Sequence, residues 1–357
     1  MLLRLVLQVF IFVFLYNSVS AQQHAGKFFA ASDPLIQYVG RIDASNPEAL
    51  RFWQPGVYIK AKFYGTYCEL HINDEELWGK SHNYISIIVD DNAPIRLQTK
   101  GKKNVIDTVR NLLKGEHTIV ICKNTEAGIG YLEFVGLKCE KLLRLPNKPS
   151  RKIEFIGNSI TCGMGSDLSV IPCDSGQWYD QHNAYLSYGA QTARRLNAQW
   201  HLSSVSGIGL IRSCCNMEIT MPDVFDKINM RDDTILWDFK KYQPEVVSIC
   251  LGQNDRIQDS VKFCSAYVSF IKNIRTLYPR AQILCITSPM ADEKLAEVMR
   301  RYLTGVVSHL QSNGEKKVDK YFFSRSFNNG CGSHPDLQDH TLIANELTAK
   351  IKSLMGW

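Results

Sequence analysis

The 357-residue sequence predicts two domains in series, an all-β sandwich followed by a three-layer α/β domain with a parallel sheet. Residues 27–140 consist of short alternating runs separated by turn signals, without long amphipathic stretches. Beyond a linker at 145–151 that contains two prolines, continuous apolar runs alternate with stretches of helical spacing, which is typical of a parallel sheet covered on both faces. The predicted domain limits are 22–145 and 146–357.

Residues 1–21 are typical of a secretory signal peptide. Arg4 precedes the apolar run Leu5–Tyr16, and small residues precede the expected cleavage after Ala21. The apolar run is too short to span a bilayer. We therefore expect a secreted or periplasmic protein without a membrane association after cleavage, with an uncleaved anchor as the alternative.

Composition and charge exclude several classes of partner. The chain is 45% hydrophobic and 21% charged, as in soluble globular proteins. Its 41 basic and 35 acidic residues give a formal charge of +6 and form no long basic run. Binding to nucleic acid or to a membrane surface is therefore not expected.

Eleven cysteines follow the predicted signal peptide, so at least one of them is unpaired. Cys250 and Cys285 lie in apolar runs, where a buried free thiol is expected. No C-x-x-C pair is present, which argues against zinc binding and thioredoxin-type chemistry. Cys162 and Cys173 flank one loop and form the first disulfide to test, although spacing alone does not determine cysteine pairing.

The positions of the secondary-structure elements follow from the same patterns. Strands of the sandwich are predicted at Gln37–Ile42, Gly56–Tyr64, Tyr67–Ile72, Tyr84–Asp90, Ile95–Thr99, Asn104–Val109, Glu116–Lys123 and Tyr131–Cys139. Strands of the α/β domain are predicted at Lys152–Ile156, Gln199–Val205, Glu245–Leu251, Gln282–Ile286 and Lys317–Phe323. Helices are predicted at Tyr185–Leu196, Ser260–Leu277, Asp292–Ser312 and Asp339–Leu354.

Active sites of parallel sheets lie beyond the carboxyl ends of the strands, and three predicted strand ends have distinctive residues. Gly157-Asn158-Ser159 follows the first, Ser206-Gly207-Ile208-Gly209 the second and Gly252-Gln253-Asn254-Asp255 the third. Ser159 is the candidate nucleophile. Because a serine hydroxyl is unreactive near neutral pH, it needs a base and donors that stabilise an oxyanion.

The base is expected from the loop Gly330–His340, which contains two histidines and leads into the last helix. His334, followed by a proline, is favoured over His340, for which a structural hydrogen bond in the first helical turn is the simpler role. Together the four segments supply a nucleophile, oxyanion donors and a base.

These segments resemble the four blocks of the SGNH (GDSL-type) hydrolases, in the same order. The chain as a whole is similar to carbohydrate esterase family 2, because a β-sandwich precedes the hydrolase domain and because Ser206-Gly207-Ile208-Gly209-Leu210 and the run Trp237–Pro244 are present. Members of that family are exported enzymes that remove O-acetyl groups from plant polysaccharides such as xylan and glucomannan. The resemblance implies a jelly-roll domain followed by an SGNH-hydrolase domain with a flavodoxin-like sheet.

The resemblance also implies a role for each site residue. Ser159 would attack the acetyl carbonyl, and His334 would act as general base and then as general acid. The backbone N–H groups of Ser159 and Gly207, with the side-chain amide of Asn254, would form the oxyanion hole. The implied partner is an acetylated polysaccharide or oligosaccharide, and no metal or organic cofactor is required.

The sequence departs from the SGNH pattern in what orients the base. The family usually has an aspartate two or three residues before the histidine, where this chain has Gly332 and Cys331. We favour a Ser–His dyad in which a backbone carbonyl holds His334. Asp336 or Asp339 could replace the missing carboxylate only if the loop folds back.

Some assignments remain open at this stage. Gly209 competes with Gly207 as the oxyanion glycine, and Asp255 is interpreted as a buttress of the loop rather than a participant. A loop after the nucleophile could form a sugar-stacking wall or pack as buried aromatics; its residues are Trp178, Tyr179 and His182. The alternative functions are a glycan-binding protein on a degenerate hydrolase scaffold and a lipase or thioesterase that prefers long acyl chains.

Overall fold

The structure is a computed structural model that describes residues 26–109, 112–231 and 234–357. The predicted signal peptide at 1–21 lies outside the described residues. Within those residues, no helix combines the length and the apolar character needed to cross a membrane.

The amino-terminal part is all-β and antiparallel, as the sequence predicted. The longest strand, β4, pairs with β8 over its first half and with β7 over its second half. Side chains along β4 alternate between buried and partly buried, so one face packs into the core of the sandwich. The described strands are β1 Lys27–Ala30, β2 Gln37–Val39, β3 Leu50–Phe52, β4 Tyr58–Asp74, β5 Tyr84–Val89, β6 Ile95–Gln98, β7 Lys103–Val109, β8 Gly115–Lys123 and β9 Leu132–Leu143.

Two details of this part differ from the prediction. β4 is one continuous strand, although the sequence indicated two strands separated at 65–66. The pairing of β4 with β9 shifts register between Tyr64 and Cys68, and this bulge accounts for the apparent break in the pattern. The strands β1 and β3 were not predicted, because four and three residues are too few to show a period.

The carboxyl-terminal part is a five-stranded parallel sheet in the order β11-β10-β12-β13-β14. This order, with the first strand of the domain second in the sheet, is the flavodoxin-like arrangement that the resemblance implied. The strands are β10 Arg151–Gly157, β11 Ala198–Ser204, β12 Val246–Ile249, β13 Gln282–Ile286 and β14 Val318–Tyr321. The helices are α1 Ser159–Cys162, α2 Tyr188–Arg195, α3 Met221–Val224, α4 Ser260–Leu277, α5 Glu293–Ser312 and α6 Leu337–Met355.

Helices cover both faces of this sheet, which confirms the three-layer prediction. Residues of α2 and α6 pack into a core on one face, and residues of α4 and α5 pack into a second core on the other. The three longest helices begin at aspartate N-caps, whose carboxylates accept backbone N–H groups of the first turn. These caps are Asp259, Asp292 and Asp336.

The two parts also share a core. Trp200 of β11 stacks on Tyr58 of β4 at 4.1 Å between ring centroids, and its indole N–H donates to the carbonyl of Gly56 at 3.0 Å. Nearby, Arg41 forms an ion pair with Glu154 of β10 at 2.8 Å, and both side chains are at most 1% exposed. Because a buried ion pair is tolerated only when it is geometrically well matched, these contacts fix how the sandwich lies on the hydrolase sheet.

Candidate active site

The end of β10 turns sharply and positions Ser159. A Cβ atom on Gly157 would lie 2.1 Å from Oγ1 of Thr161, so no larger residue fits there. Asn158 caps the short helix α1, because its Oδ1 accepts the N–H of Ile160 at 3.2 Å. Ser159 is the first residue of this helix and is 5% exposed.

Ser159 and His334, which are 175 residues apart in sequence, are in direct contact. Oγ of Ser159 lies 2.8 Å from Nε2 of His334. Nδ1 of the same ring lies 3.2 Å from the carbonyl oxygen of Cys331 and 3.1 Å from that of Gly332. A carbonyl can only accept, so Nδ1 carries the proton and Nε2 is left to accept the serine hydroxyl. The tautomer required of a general base is thus imposed by two backbone oxygens.

The two aspartates considered as replacements for the missing carboxylate have other partners. Oδ1 of Asp336 accepts the N–H of Asp339 at 2.7 Å as the N-cap of α6. The carboxylate of Asp339 accepts the backbone N–H and the side-chain amide of Asn329, each at 2.9 Å. The hypothesis that either one orients His334 is therefore wrong, because helix capping and loop closure already use both carboxylates.

The second histidine of the loop, His340, has a structural environment. It is fully buried, and its Nδ1 accepts the backbone N–H of Tyr188 at 3.1 Å. Burial, with a smaller contribution from the nearby His334, lowers the pKa of His340 to about 3. It is therefore neutral at any pH at which the protein is expected to work.

Burial also lowers the pKa of His334 below its ordinary value of 6.5, although the carbonyls of Cys331 and Gly332 act in the opposite direction. A base must be neutral to accept a proton. The lowered pKa keeps His334 in its neutral form at and somewhat below neutral pH.

The loop after β11, which runs from Val205 to Thr220, folds back on itself at Gly207. Gly207 has a φ of +84°, and its carbonyl accepts the N–H of Cys214 at 2.8 Å. The N–H of Gly209 donates to Oγ of Ser213 at 3.1 Å and is thus used within the loop. Of the two candidate glycines, Gly207 is therefore favoured as the oxyanion donor.

Asn254 connects the third strand end to this loop. Its Nδ2 donates to the carbonyl oxygen of Ile208 at 2.8 Å, which leaves the second N–H of the amide to face another acceptor. The neighbouring Asp255 is buried and accepts the backbone N–H groups of three successive residues at 2.7–3.1 Å. These are Leu210, Ile211 and Arg212. These contacts agree with the interpretation of Asp255 as a buttress of the loop 205–220, which we call the oxyanion loop because it contains the candidate oxyanion donor Gly207.

Sequence reasoning missed Glu126, which reaches the site from the sandwich domain. This carboxylate is 1% exposed, and its Oε2 accepts the backbone N–H of Ser206 at 2.6 Å. Its Oε1 lies 3.3 Å from Nε2 of His182. Burial alone would raise the pKa of Glu126, but the hydrogen bonds from His182 and Ser206 outweigh it and the pKa is lowered. The one sequence signal was the polar run Lys123–Glu126 directly after a strand.

A cleft of about 530 Å³ opens beside the oxyanion loop. Of the three residues considered as a sugar-stacking wall, Trp178 lines this cleft and is half-exposed, whereas Tyr179 and His182 are buried. The lining residues are Glu126, Gly128, Trp178, Val205, Ser206, Asn216, Met217, Glu218, Ile219 and Arg231. The cleft therefore has a half-exposed aromatic side chain beside charged groups of both signs.

Two disulfides lie in the loops around the site, and neither is the pair predicted from sequence. Cys173 is bonded to Cys331, and Cys214 is bonded to Cys215. Cys162 is a buried free thiol on α1, with Sγ 3.2 Å from Oγ of Ser204. The expected Cys162–Cys173 bond is wrong because α1 packs inward against β11, whereas the loop of Cys173 runs toward the histidine loop.

The remaining cysteines agree with the sequence analysis. Cys250 and Cys285 are buried free thiols, as their apolar surroundings indicated. Over the part of the chain that the structure describes, no group of three or more histidine, cysteine, aspartate or glutamate side chains could hold a metal ion.

Each of the two parts of the chain matches a known family model. Residues 38–149 match the family model "Carbohydrate esterase 2 N-terminal", and residues 155–320 match "GDSL-like Lipase/Acylhydrolase family".

Curated relatives are similar over most of the chain. The chain is 34% identical to the Cellulase/esterase CelE of Acetivibrio thermocellus, over 91% of this chain and 40% of that protein. It therefore spans less than half of the length of that relative. It is 27% identical to an acetylxylan esterase / glucomannan deacetylase of Cellvibrio japonicus, over 96% of this chain and 95% of that protein.

A solved structure agrees in fold and in sequence. The family two carbohydrate esterase from Clostridium thermocellum in complex with cellohexaose superposes with a TM-score of 0.82 at 34% identity, over 90% of this chain and 99% of that one. One family of ester hydrolases accounts for all of these matches: the two family models, the Cellvibrio japonicus relative that aligns over 95% of its length, and this structure. The chain belongs to carbohydrate esterase family 2.

Proposed function

We propose that this protein is a secreted serine esterase that removes O-acetyl groups from plant polysaccharides by means of a Ser159–His334 dyad. The observation that best supports the proposal is the 2.8 Å contact between Oγ of Ser159 and Nε2 of a histidine whose Nδ1 faces two carbonyl oxygens. That arrangement gives the serine a base in the correct tautomer without a carboxylate.

The proposed reaction has two halves. In the first, Nε2 of His334 takes the proton of Ser159 as Oγ attacks the acetyl carbonyl carbon, and the carbonyl oxygen becomes an oxyanion. The oxyanion accepts hydrogen bonds from the backbone N–H groups of Ser159 and Gly207 and from the free amide N–H of Asn254. Collapse of this intermediate releases the sugar alkoxide, which takes the proton from His334 and leaves an acetyl-serine.

In the second half, water replaces the sugar hydroxyl. His334 takes a proton from the water as it attacks the acetyl-serine, and the same three donors hold the second oxyanion. Collapse then releases acetic acid, which loses its remaining proton to solvent as acetate, and the proton on His334 returns to Ser159. Every proton transfer uses Nε2 of His334. The other ring proton therefore stays on Nδ1, hydrogen-bonded to the carbonyls of Cys331 and Gly332, throughout the reaction.

Acetylated xylan and glucomannan are the proposed substrates. The relative from Cellvibrio japonicus is named an acetylxylan esterase / glucomannan deacetylase, and the structure from Clostridium thermocellum contains cellohexaose. The half-exposed Trp178 at the wall of the cleft supports a glycan substrate, because an indole face packs well against the C–H groups of a pyranose. Two disulfides near the site support secretion into an oxidising compartment.

The substrate class is tested by comparing esters that differ only in the acyl or the alcohol part. We expect the purified protein to hydrolyse 4-nitrophenyl acetate much faster than 4-nitrophenyl octanoate, and to release acetate from acetylated xylan or glucomannan. A preference for octanoate would favour the lipase or thioesterase alternative. A protein that binds glycan but hydrolyses neither ester would favour the glycan-binding alternative.

A further inference from the structure

We propose that the Cys173–Cys331 disulfide takes the place of the triad carboxylate as the element that positions His334. This inference rests on the proposed function, since it assigns to the disulfide a role toward the proposed base. The disulfide does not touch the substrate, so its cysteines are positioning residues rather than catalytic ones.

The first support is the way in which Cys331 is held. Its backbone N–H donates to the carbonyl of Gly165 at 2.9 Å, and its sulfur is bonded to Cys173. Its own carbonyl oxygen is thereby fixed at 3.2 Å from Nδ1 of His334. Cys331 occupies the position three residues before the histidine, where the resemblance leads one to expect an aspartate.

The second support is that the backbone around Cys331 needs an external restraint. The segment Cys331–Ser333 forms a single 3-10 turn, in which Gly332 and Ser333 both have a φ of 58°. The turn is closed by the N–H of His334, which donates to the carbonyl of Cys331 at 3.1 Å, and by the N–H of Gly330, which donates to the carbonyl of His334 at 2.6 Å. Because a left-handed conformation is unfavourable for serine, these bonds work against local strain, and a cross-link at Cys331 adds a restraint. The carbonyl of Gly332, the second acceptor for Nδ1, lies within the same turn.

The third support is that the other end of the disulfide is anchored. The side-chain amide of Gln181 donates to the carbonyls of Pro172 and Ser175, which flank Cys173, at 3.1 Å each. Gln181 itself is 4% exposed. The disulfide therefore joins the loop that contains His334 to a loop that two partly buried hydrogen bonds hold in place.

A carbonyl and a carboxylate would orient the ring equally well, but they differ in charge. A carboxylate stabilises the imidazolium that forms during catalysis and raises the pKa of the histidine, whereas a carbonyl contributes only its dipole. The two positioning devices are therefore distinguishable by the pH dependence of the reaction as well as by its rate.

The experiment compares two variants of the full chain that both lack the disulfide. In Cys173→Ala/Cys331→Ala the cross-link that restrains the backbone carbonyl of residue 331 is removed. We expect kcat for 4-nitrophenyl acetate to fall about 10- to 100-fold with little change in KM. In Cys173→Ala/Cys331→Asp a carboxylate is supplied at the same position. We expect this variant to recover much of the lost kcat and to move the acid limb of the pH profile to higher pH.

Both double variants lose the same cross-link, so any loss of stability from its removal should be similar in the two. A difference in kcat between them therefore reports on the positioning of His334. Cys264→Ala, which removes a half-buried free thiol on α4, is the matched control and should leave kcat unchanged. The inference is overturned if the double alanine variant keeps the wild-type kcat, or if the aspartate variant neither recovers kcat nor shifts the pH profile. Failure of the proposed function itself is recognised separately, because the wild-type protein would then be inactive or Ser159→Ala would remain active.

Discussion

The buried carboxylate of Glu126 makes a sharp prediction, because the sandwich domain contributes this charge to the loop that follows β11. We expect Glu126→Gln to lower the stability and the turnover of the protein together. The substitution keeps the shape and an acceptor oxygen but removes the charge. Its direct effect is on the hydrogen bond that Oε2 accepts from the N–H of Ser206 at 2.6 Å.

The magnitude follows from the difference between a charge-assisted and a neutral hydrogen bond. A bond to a charged group contributes about 1.5–3 kcal/mol to stability, and a neutral one contributes about 1 kcal/mol. The expected loss of unfolding free energy is therefore about 0.5–2 kcal/mol, or a fall in Tm of about 1–4 °C. Ser206 precedes the proposed oxyanion donor Gly207, so a loss of about 1.4 kcal/mol in the transition state would lower kcat about tenfold.

The same substitution should change the pH profile in a definite direction. The negative charge of Glu126 raises the pKa of His334, although burial keeps that pKa below its ordinary value. Without the charge the pKa of His334 falls further, so the histidine remains a neutral base to lower pH. The acid limb of kcat/KM for Glu126→Gln should therefore lie at lower pH than that of the wild type.

Stability should show a matching pH dependence. The pKa of Glu126 is lower in the folded state than its ordinary value, so its contribution is fully present above the unfolded pKa. The contribution is lost as the pH falls through the folded pKa. The difference in unfolding free energy between the wild type and Glu126→Gln should thus be constant near neutral pH and should narrow in acid.

The assay is initial-rate hydrolysis of 4-nitrophenyl acetate from pH 4 to 8, with Tm measured in the same buffers. Glu133→Gln is the matched control. Glu133 lies on β9 of the same domain, and its carboxylate pairs with Arg51 of β3 at 2.6 Å. It should leave kcat and the acid limb unchanged. A Glu126→Gln variant with wild-type kcat and an unchanged acid limb would show that Glu126 affects neither the proposed oxyanion donor nor the pKa of His334.

Three further predictions concern other contacts. Asn254→Ala should lower kcat about 100- to 1,000-fold with little change in KM, as single-turnover and steady-state kinetics would show, because it removes one oxyanion donor. The wild-type acid limb should have its midpoint below pH 6.5, since burial lowers the pKa of His334; a midpoint above 6.5 in kcat/KM would contradict this. Arg41→Met should destabilise the fold by about 3–5 kcal/mol in denaturant unfolding, because it leaves Glu154 buried without its cation and leaves the carbonyls of Phe225 and Lys227 without their donor. Arg41→Met/Glu154→Met should recover only part of this loss, because the hydroxyl of Ser203 then loses its buried acceptor.

The sequence predicted the parallel sheet well because each of its strands is a continuous apolar run between helices. The helix Ser260–Leu277 and the strand Gln282–Ile286 have the predicted limits, and the other strands of the sheet differ by one or two residues at each end. The strand ends then brought Ser159 and the oxyanion loop to one edge, as the topology requires. Periodicity and topology together therefore located the site.

What the sequence did not reveal depends on contacts between segments that are distant in the chain. Glu126 belongs to another domain, and its local pattern is simply that of a polar turn after β8. The partner of Cys331 is 158 residues away, and cysteine spacing does not specify such a pair. The carbonyl oxygens that hold His334 have no sequence signature, since every residue has a carbonyl.

The sandwich domain contributes side chains that hold two loops of the hydrolase domain in position. It supplies Glu126 to the oxyanion loop, and Arg96 donates to the carbonyl of His182 at 2.9 Å, which fixes the loop that contains Trp178. Val39, Trp53 and Tyr58 of the sandwich pack into the core on one face of the hydrolase sheet. Removal of the sandwich is therefore expected to disrupt the site rather than to remove a separate module.

The central claim is that Ser159 is a nucleophile activated by His334 for the release of acetate from a glycan. The most direct test is acetate release from acetylated glucomannan by the wild type and by Ser159→Ala at equal concentration. The wild type should release acetate steadily and the variant none above background, although the variant should still bind the glycan and keep its Tm. Continued release by a folded Ser159→Ala protein would show that Ser159 is not the nucleophile.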